Sequence, residues 1–312
     1  MTERKIVGPD FSSLNGILEI IQSFVGDAVI DTLEVIPFLF LTYLLLEFME
    51  HRMSKKSLEK FEKAGPLGPF IGSALGIVPQ CGFSSAASTL YAGRVITIGT
   101  LFAVYLSTSD EMIPIFIAGG IPINEMIGIL AAKFVIGLVM GFAVDGFVHI
   151  ANLDKSKKKE RYEIHAMCER DHCSCGHDEN SKNKVLRPAI QHTFQVTIFI
   201  FLITLLLNII IQFAGGYDAI ANFVNMNKYM SVVASSLVGL IPNCASSVAI
   251  SQVYVDGIIG PGALLAGLLD AAGVGLIVLF RNNRPAKQNI IITLVLFIVS
   301  VVFGLIVTLL VG

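Results

Sequence analysis

Six stretches of this chain are apolar over the length of a bilayer: Val29 to Glu50, Thr97 to Gly119, Ile123 to Ile150, Ala189 to Phe213, Ile258 to Phe280 and Ile290 to Val311. A hydrocarbon core about 30 Å thick needs roughly 20 apolar residues of helix, so each stretch is expected to span. Composition agrees, since only 15% of the 312 residues are charged, where a soluble domain carries about a quarter. The fold class is therefore all-α integral membrane, and a secreted scaffold, a nucleic-acid binder and an ordinary cytosolic enzyme are excluded. The five cysteines are odd in number, which argues against a disulfide framework. Before the first span, Phe11 to Ile30 is apolar but broken by Asn15, Glu19, Gln22 and Asp27. Residues 1–28 thus read as an amphipathic segment at the interface, not as a cleavable signal peptide.

Lysine and arginine set the orientation, because cytoplasmic loops hold the excess. Residues 51–63 carry Arg52, Lys55, Lys56, Lys60 and Lys63; residues 152–187 are rich in lysine; Arg281, Arg284 and Lys287 follow the fifth span. All three loops are placed inside, in the inner (plasma) membrane of the cell. An even number of crossings must then separate the first two loops, yet Gly65 to Gly93 is apolar as well. Pro79-Gln80-Cys81-Gly82 interrupts it, and each half is too short to cross. It is expected to be a re-entrant helical hairpin entering from the cytoplasm. The same parity makes Tyr229 to Tyr254, broken by Pro242-Asn243-Cys244, a hairpin entering from outside. Irregular backbone at membrane depth persists only where protein or a watery cavity satisfies it, so the two breaks imply a shared cavity.

The hairpins are related at an offset of 163 residues, with 11 identities in the 28 positions from Gly76 to Ala103, among them Pro79/Pro242, Cys81/Cys244, Tyr91/Tyr254 and Gly99/Gly262. Residues 29–150 form a first membrane repeat, 151–187 a cytoplasmic linker rich in cysteine and histidine, and 188–312 a second repeat. The halves start on opposite sides, giving an inverted repeat with two opposed re-entrant hairpins and about ten helical segments. That pattern points to a secondary transporter with a site near the midplane.

The motif pair Gly-x-x-Pro-Gln-Cys-Gly-Phe-Ser-Ser (Gly76 to Ser85) and Gly-x-x-Pro-Asn-Cys-Ala-Ser-Ser (Gly239 to Ser247), with Thr108-Ser109-Asp110-Glu111 after the first, resembles the ten-transmembrane heavy-metal exporters, variously labelled arsenic efflux proteins or manganese transporters. The resemblance runs from Val29 to Val311. It implies the ten-helix fold and a transporter, and it leaves the ion open.

At each tip the second half-helix starts beside the cysteine, a position whose unpaired N–H groups suit a thiolate. Cys81 and Cys244 are thus expected as soft-metal ligands, with Gln80, Asn243, Ser84, Ser85, Ser246 and Ser247 as a polar shell. The alternative is that the cysteines pack and the serines cap. Carboxylates inside spans are costly and face a cavity or the bundle interior. Asp110, Glu111 and Asp270 are therefore candidates for cation binding, with Asp110 and Asp270 as metal ligands, or for the coupling proton; a buried structural carboxylate is the other reading. Lys133 and Asp145 read as an internal ion pair. The linker residues His165, Cys168, His172, Cys173, Cys175 and His177 have the composition of a thiolate and imidazole site, either a capture tail for export or a tether that binds nothing. No resident cofactor is expected. The expected partners are membrane lipid and a small inorganic ion, with the oligomeric state open between monomer and homodimer.

These residues favour proton-coupled export of a soft or transition-metal ion, or an arsenite-like species. Two alternatives stay open. Helix N-termini at the tips attract anions, which suits an ion-coupled anion transporter. Asp110 and Asp270 would also make an intramembrane aspartyl protease dyad, although Gly-x-Gly-Asp, Tyr-Asp and Pro-Ala-Leu motifs are missing.

Overall fold

The computed structural model describes residues 67–78, 82–108, 112–151, 186–213, 216–225, 227–284 and 286–311, with positions 26, 29, 30, 32, 33, 36, 37, 39–41, 43 and 44. Among the described residues there is helix and no strand. In chain order the helices are α1 (Gly68–Gly76), α2 (Gly82–Ala92), α3 (Ile98–Ser107), α4 (Met112–Ala118), α5 (Ile123–Ile150), α6 (Leu186–Phe213), α7 (Gly216–Val224), α8 (Lys228–Gly239), α9 (Cys244–Val255), α10 (Pro261–Asp270), α11 (Val274–Asn282) and α12 (Ala286–Val311). The described positions between 29 and 44 are helical too. Five segments are long and apolar enough to cross a membrane: Ile98–Ala118, Ile123–Ile150, Ala189–Leu207, Pro261–Asn282 and Ala286–Val311. They coincide with five of the six expected stretches. The sixth, from Val29, is described only in part, and the amphipathic segment (apart from Gly26) and the linker residues 152–185 lie outside the described residues.

Two of the expected plain spans are interrupted at mid-length. The stretch from Thr97 stops at Ser107 and resumes as α4; the stretch from Ile258 stops at Asp270 and resumes as α11. In the second break Ala271 takes φ −71° and ψ 65°, the inverse γ-turn, so that Ala272 N–H donates to Asp270 O at 2.6 Å. Gly273 follows at φ +52°, a conformation that a side chain would strain. In the first, Thr108 leaves the helix at φ −57° and ψ 130°, and its hydroxyl donates back to Val104 O at 2.7 Å. Such side-chain bonds offer the backbone an alternative to the helical ladder.

Helix ends between 68 and 150 recur 163 residues later to within three positions, pairing α1 to α5 with α8 to α12 in order. The packing recurs with them. α3 lies against α1 and α5, and α10 lies against α8 and α12. Both crossings with the long helices are made at glycine. A Cβ on Gly99 would stand 2.1 Å from Gly141 O, and one on Gly262 2.4 Å from Gly304 O; small residues let apolar helices approach closely in lipid. α2 packs against α11 and α9 against α4, so each joins the two stretches related at the 163-residue offset. The interrupted helices are thereby central: every residue from Gly262 to Asp270 is buried. The long helices are peripheral, and α6 turns Ile190, Phe194, Ile198, Leu202, Leu206 and Ile210 outward at four-residue spacing. In water that stripe would be a liability; against lipid it is solvated. Tyr43 ties the first helical segment to the bundle, stacking on His192 of α6 and accepting from Asn282 of α11 at 2.9 Å.

Candidate functional site

Half-helix ends converge inside the bundle. At the carboxyl end of α1, a Cβ on Gly76 would meet the Ser107 hydroxyl at the end of α3; at the carboxyl end of α8, one on Gly239 would meet Gly267 O and lie 3.2 Å from Asp270 Cβ. At the opposite polarity, the first turns of α2 and α11 touch, since a Cβ on Gly275 would stand 2.8 Å from Ser84 Cβ. Carboxyl ends carry unpaired carbonyls and partial negative charge, amino ends the reverse. The bundle centre therefore offers both polarities side by side.

Among the described residues, Asp270 is the acidic group there. It is completely buried, its Oδ2 accepts from the Ser236 hydroxyl of α8, and Ser300 of α12 lies beside the same carboxylate. Oδ1 has no hydrogen-bond partner among the described residues. A buried polar atom left unsatisfied costs on the order of 1–3 kcal/mol, and more when charged. The 163-residue counterparts of Ser236, Ser300 and Asp270 are Ser73, Gly137 and Ser107. They cluster in the same way, with a Cβ on Gly137 3.3 Å from Ser73 Oγ and 3.4 Å from Ser107 Cβ. One half thus holds an acid where the other holds a hydroxyl.

At the second tip, Asn243 caps α9 by accepting from Ala245 N–H at 3.2 Å. Ser246 donates to Asn243 O at 2.7 Å and Ser247 to Cys244 O at 2.8 Å. These hydroxyl protons serve backbone carbonyls of the first turn, which leaves lone pairs on both serine oxygens. Cys244 is buried within the apolar cluster that includes Ala92, Val274 and Ile277. In the first turn of α2, Ser84 and Ser85 are completely buried. One turn on, the Ser88 hydroxyl lies 2.6 Å from the Tyr105 hydroxyl, and both reach Gly275 O, at 2.7 and 3.1 Å. Among the described residues no three His, Cys, Asp or Glu side chains form a metal-binding group. Gln80, Cys81, Asp110, Glu111 and the linker residues His165, Cys168, His172, Cys173, Cys175 and His177 lie outside the described residues.

The expected ion pair between Lys133 and Asp145 does not form. Twelve residues apart on one continuous helix, they are separated by about 18 Å of rise, and each serves an interrupted span. Asp145 caps α3, accepting from Gly99 N–H at 2.8 Å and from the Thr97 hydroxyl at 2.7 Å. Lys133 is completely buried and donates to Leu268 O at 2.8 Å and to Thr108 O.

Two polar contacts join the two stretches related at the 163-residue offset. The Tyr254 hydroxyl of α9 donates to Glu125 of α5, and Gln288 of α12 donates to the Tyr91 hydroxyl of α2 at 2.6 Å. Glu125 and Gln288 are counterparts at the 163-residue offset, as are Tyr91 and Tyr254. Sequence reading missed this pair, although the offset already aligned its members.

A family model, ArsP_2, described as "Putative, 10TM heavy-metal exporter", matches residues 17–193 and residues 180–311. Neither a curated protein nor a solved structure matches the chain.

Proposed function

The chain belongs to this family of ten-transmembrane heavy-metal exporters, and from that premise we propose that it is a secondary-active transporter exporting a soft or transition-metal ion, with protons as the coupling ion. The two repeats are inverted, their hairpins re-entrant from opposite faces, and the cargo site lies where the half-helix ends meet. The observation that carries this reading is the Asp270 carboxylate, buried at the break of a central span with Oδ1 unpartnered among the described residues. Such an oxygen can hold a cation or a proton in turn. Cys81, Cys244, Asp110 and Glu111 complete the cargo site, with Gln80, Asn243, Ser84, Ser85, Ser246 and Ser247 around it. The linker stands in the cytoplasm of an inner-membrane protein and captures the cargo through its cysteines and histidines.

Alternating access needs one closure at each face. With the basic loops inside, Glu125–Tyr254 lies at the outer face and Gln288–Tyr91 at the inner face, each joining the two repeats. Opening outward breaks the first, and opening inward breaks the second. Tyr254→Phe should raise the reactivity of site cysteines toward an impermeant thiol reagent from outside, and Tyr91→Phe from inside, each about fivefold or more for the loss of roughly 1 kcal/mol of hydrogen bond. The same change of reactivity in both variants would contradict the assignment.

The paired amino ends of α2 and α11 favour a second reading, transport of an oxyanion. Flux into liposomes separates the two. Zinc, cadmium, manganese, copper(I) and arsenite are compared with organic anions, with and without a pH gradient. Metal flux that follows the gradient and falls on replacing Cys81 and Cys244 together by alanine is expected; organic-anion flux indifferent to that change would favour the second reading.

A further inference from the structure

We infer that Lys133 is a tethered cation at the junction of the two interrupted spans, occupying the place of a coupling metal cation, so that the transport cycle runs without sodium or potassium. The inference rests on the transporter reading and adds to it the identity of an ion that is not needed.

Lys133 donates to Thr108 O, at the residue where α3 ends, and at 2.8 Å to Leu268 O, in the last turn of α10. In an unbroken helix Leu268 O would accept from residue 272, but Ala272 N–H is turned back onto Asp270 O. The carbonyl is left for the ammonium group. Both helices present their negative carboxyl ends at this point. In transporters built from discontinuous helices such unwound carbonyl ends coordinate sodium or protons. Here a lysine reaches the same chemistry from the neighbouring long helix, contributing one positive charge that cannot leave.

Packing does not account for it. The counterpart of Lys133 in the second repeat is Leu296, also completely buried, so the fold accepts an apolar side chain at this position. A charge at membrane depth is costly and persists where it has a function. Lys133 also links the repeats, since Thr108 belongs to the first and Leu268 to the second. Among the described residues of α3 and α10 the charged group is Asp270, two residues after Leu268; Asp110 and Glu111 follow Thr108 in sequence and lie outside the described residues.

The test uses the full chain, purified and in liposomes, with zinc as cargo and n-propylammonium as probe. That amine reproduces the atoms from Cγ to Nζ that Lys133→Ala removes. Parent flux should be unchanged within about twofold when sodium and potassium are replaced by N-methylglucamine. Lys133→Ala should lose about tenfold or more in flux together with thermal stability, and n-propylammonium should restore part of both while n-propanol restores neither. Lys133→Met, with an apolar side chain like that of Leu296, should fold and still lose flux. A sodium or potassium requirement in the parent, full activity of Lys133→Met, or no effect of the amine on Lys133→Ala would each overturn the inference. Thermal stability is read without transport. If the amine stabilises Lys133→Ala while the parent moves no ion, the transporter reading fails and the cation site stands.

Discussion

Replacing Asp270 with asparagine is expected to lower metal flux by about tenfold or more, at least the loss seen when a group that merely supports a metal ligand is removed, while leaving the protein folded. Asparagine keeps the shape of the side chain, and its Oδ1 can still accept from Ser236. It cannot bind and release a proton, and it carries no charge to a cation. Both functions assigned to the carboxylate disappear while its packing between α8 and α12 remains. The check is initial flux in liposomes under an imposed pH gradient, alongside the thermal unfolding midpoint of the purified variant. A variant that still concentrates metal in response to the gradient would remove Asp270 from the coupling step. A variant that fails only by unfolding would assign the residue a structural role.

The second large effect is structural. Gly262→Leu should lower the apparent unfolding midpoint by about 5 °C or more and reduce membrane yield, since overpacking a close contact costs about 1–3 kcal/mol and sometimes more. The first added atom already stands 1.9 Å from Thr308 Oγ1, 2.4 Å from Gly304 O and 2.8 Å from Thr308 N. Two of these are backbone atoms of α12, which cannot rotate away. Gly128→Leu, on the long helix α5 with nothing within 4 Å of the added Cβ, is the control and should be close to neutral. Equal behaviour of the two variants in detergent would mean that the α10 and α12 crossing has room for a side chain at Gly262.

Much of the architecture was legible in the sequence because membrane spanning is a matter of length and apolarity. Hydropathy located five spans that the structure contains, and proline located the breaks between α1 and α2 and between α8 and α9. The breaks in the central spans were not legible for a physical reason. Ala271 and Ala272 are apolar, so the stretch from Ile258 keeps its hydropathy through a γ-turn that depends on backbone angles. Thr108 to Glu111 carried a visible polar signal, but it read as side chains projecting from a continuous helix. α7 was missed because nine residues between two longer apolar stretches leave little periodicity to detect. Asp145 and Lys133 shared a helix and opposite charges, which suggested a pair; the groups they bond, backbone at Gly99, Thr108 and Leu268 and the Thr97 hydroxyl, lie on other segments, and composition cannot show those. The carboxylate of Asp270 was legible as a costly residue in a span, whereas Ser236 and Ser300 beside it were ordinary serines until the helices were packed.

If Cys81 and Cys244 serve one site for a thiophilic ion, a single bound metal should be held by both thiolates. Replacing Cys168, Cys173 and Cys175 by serine leaves Cys81 and Cys244 as the remaining cysteines of the chain's five. That variant is titrated with cadmium while thiolate-to-metal absorption and bound metal per chain are recorded. One cadmium per chain held by two thiolates, with both reduced to background by Cys244→Ala, is the predicted result. Two independent one-thiolate sites, or no binding, would contradict it.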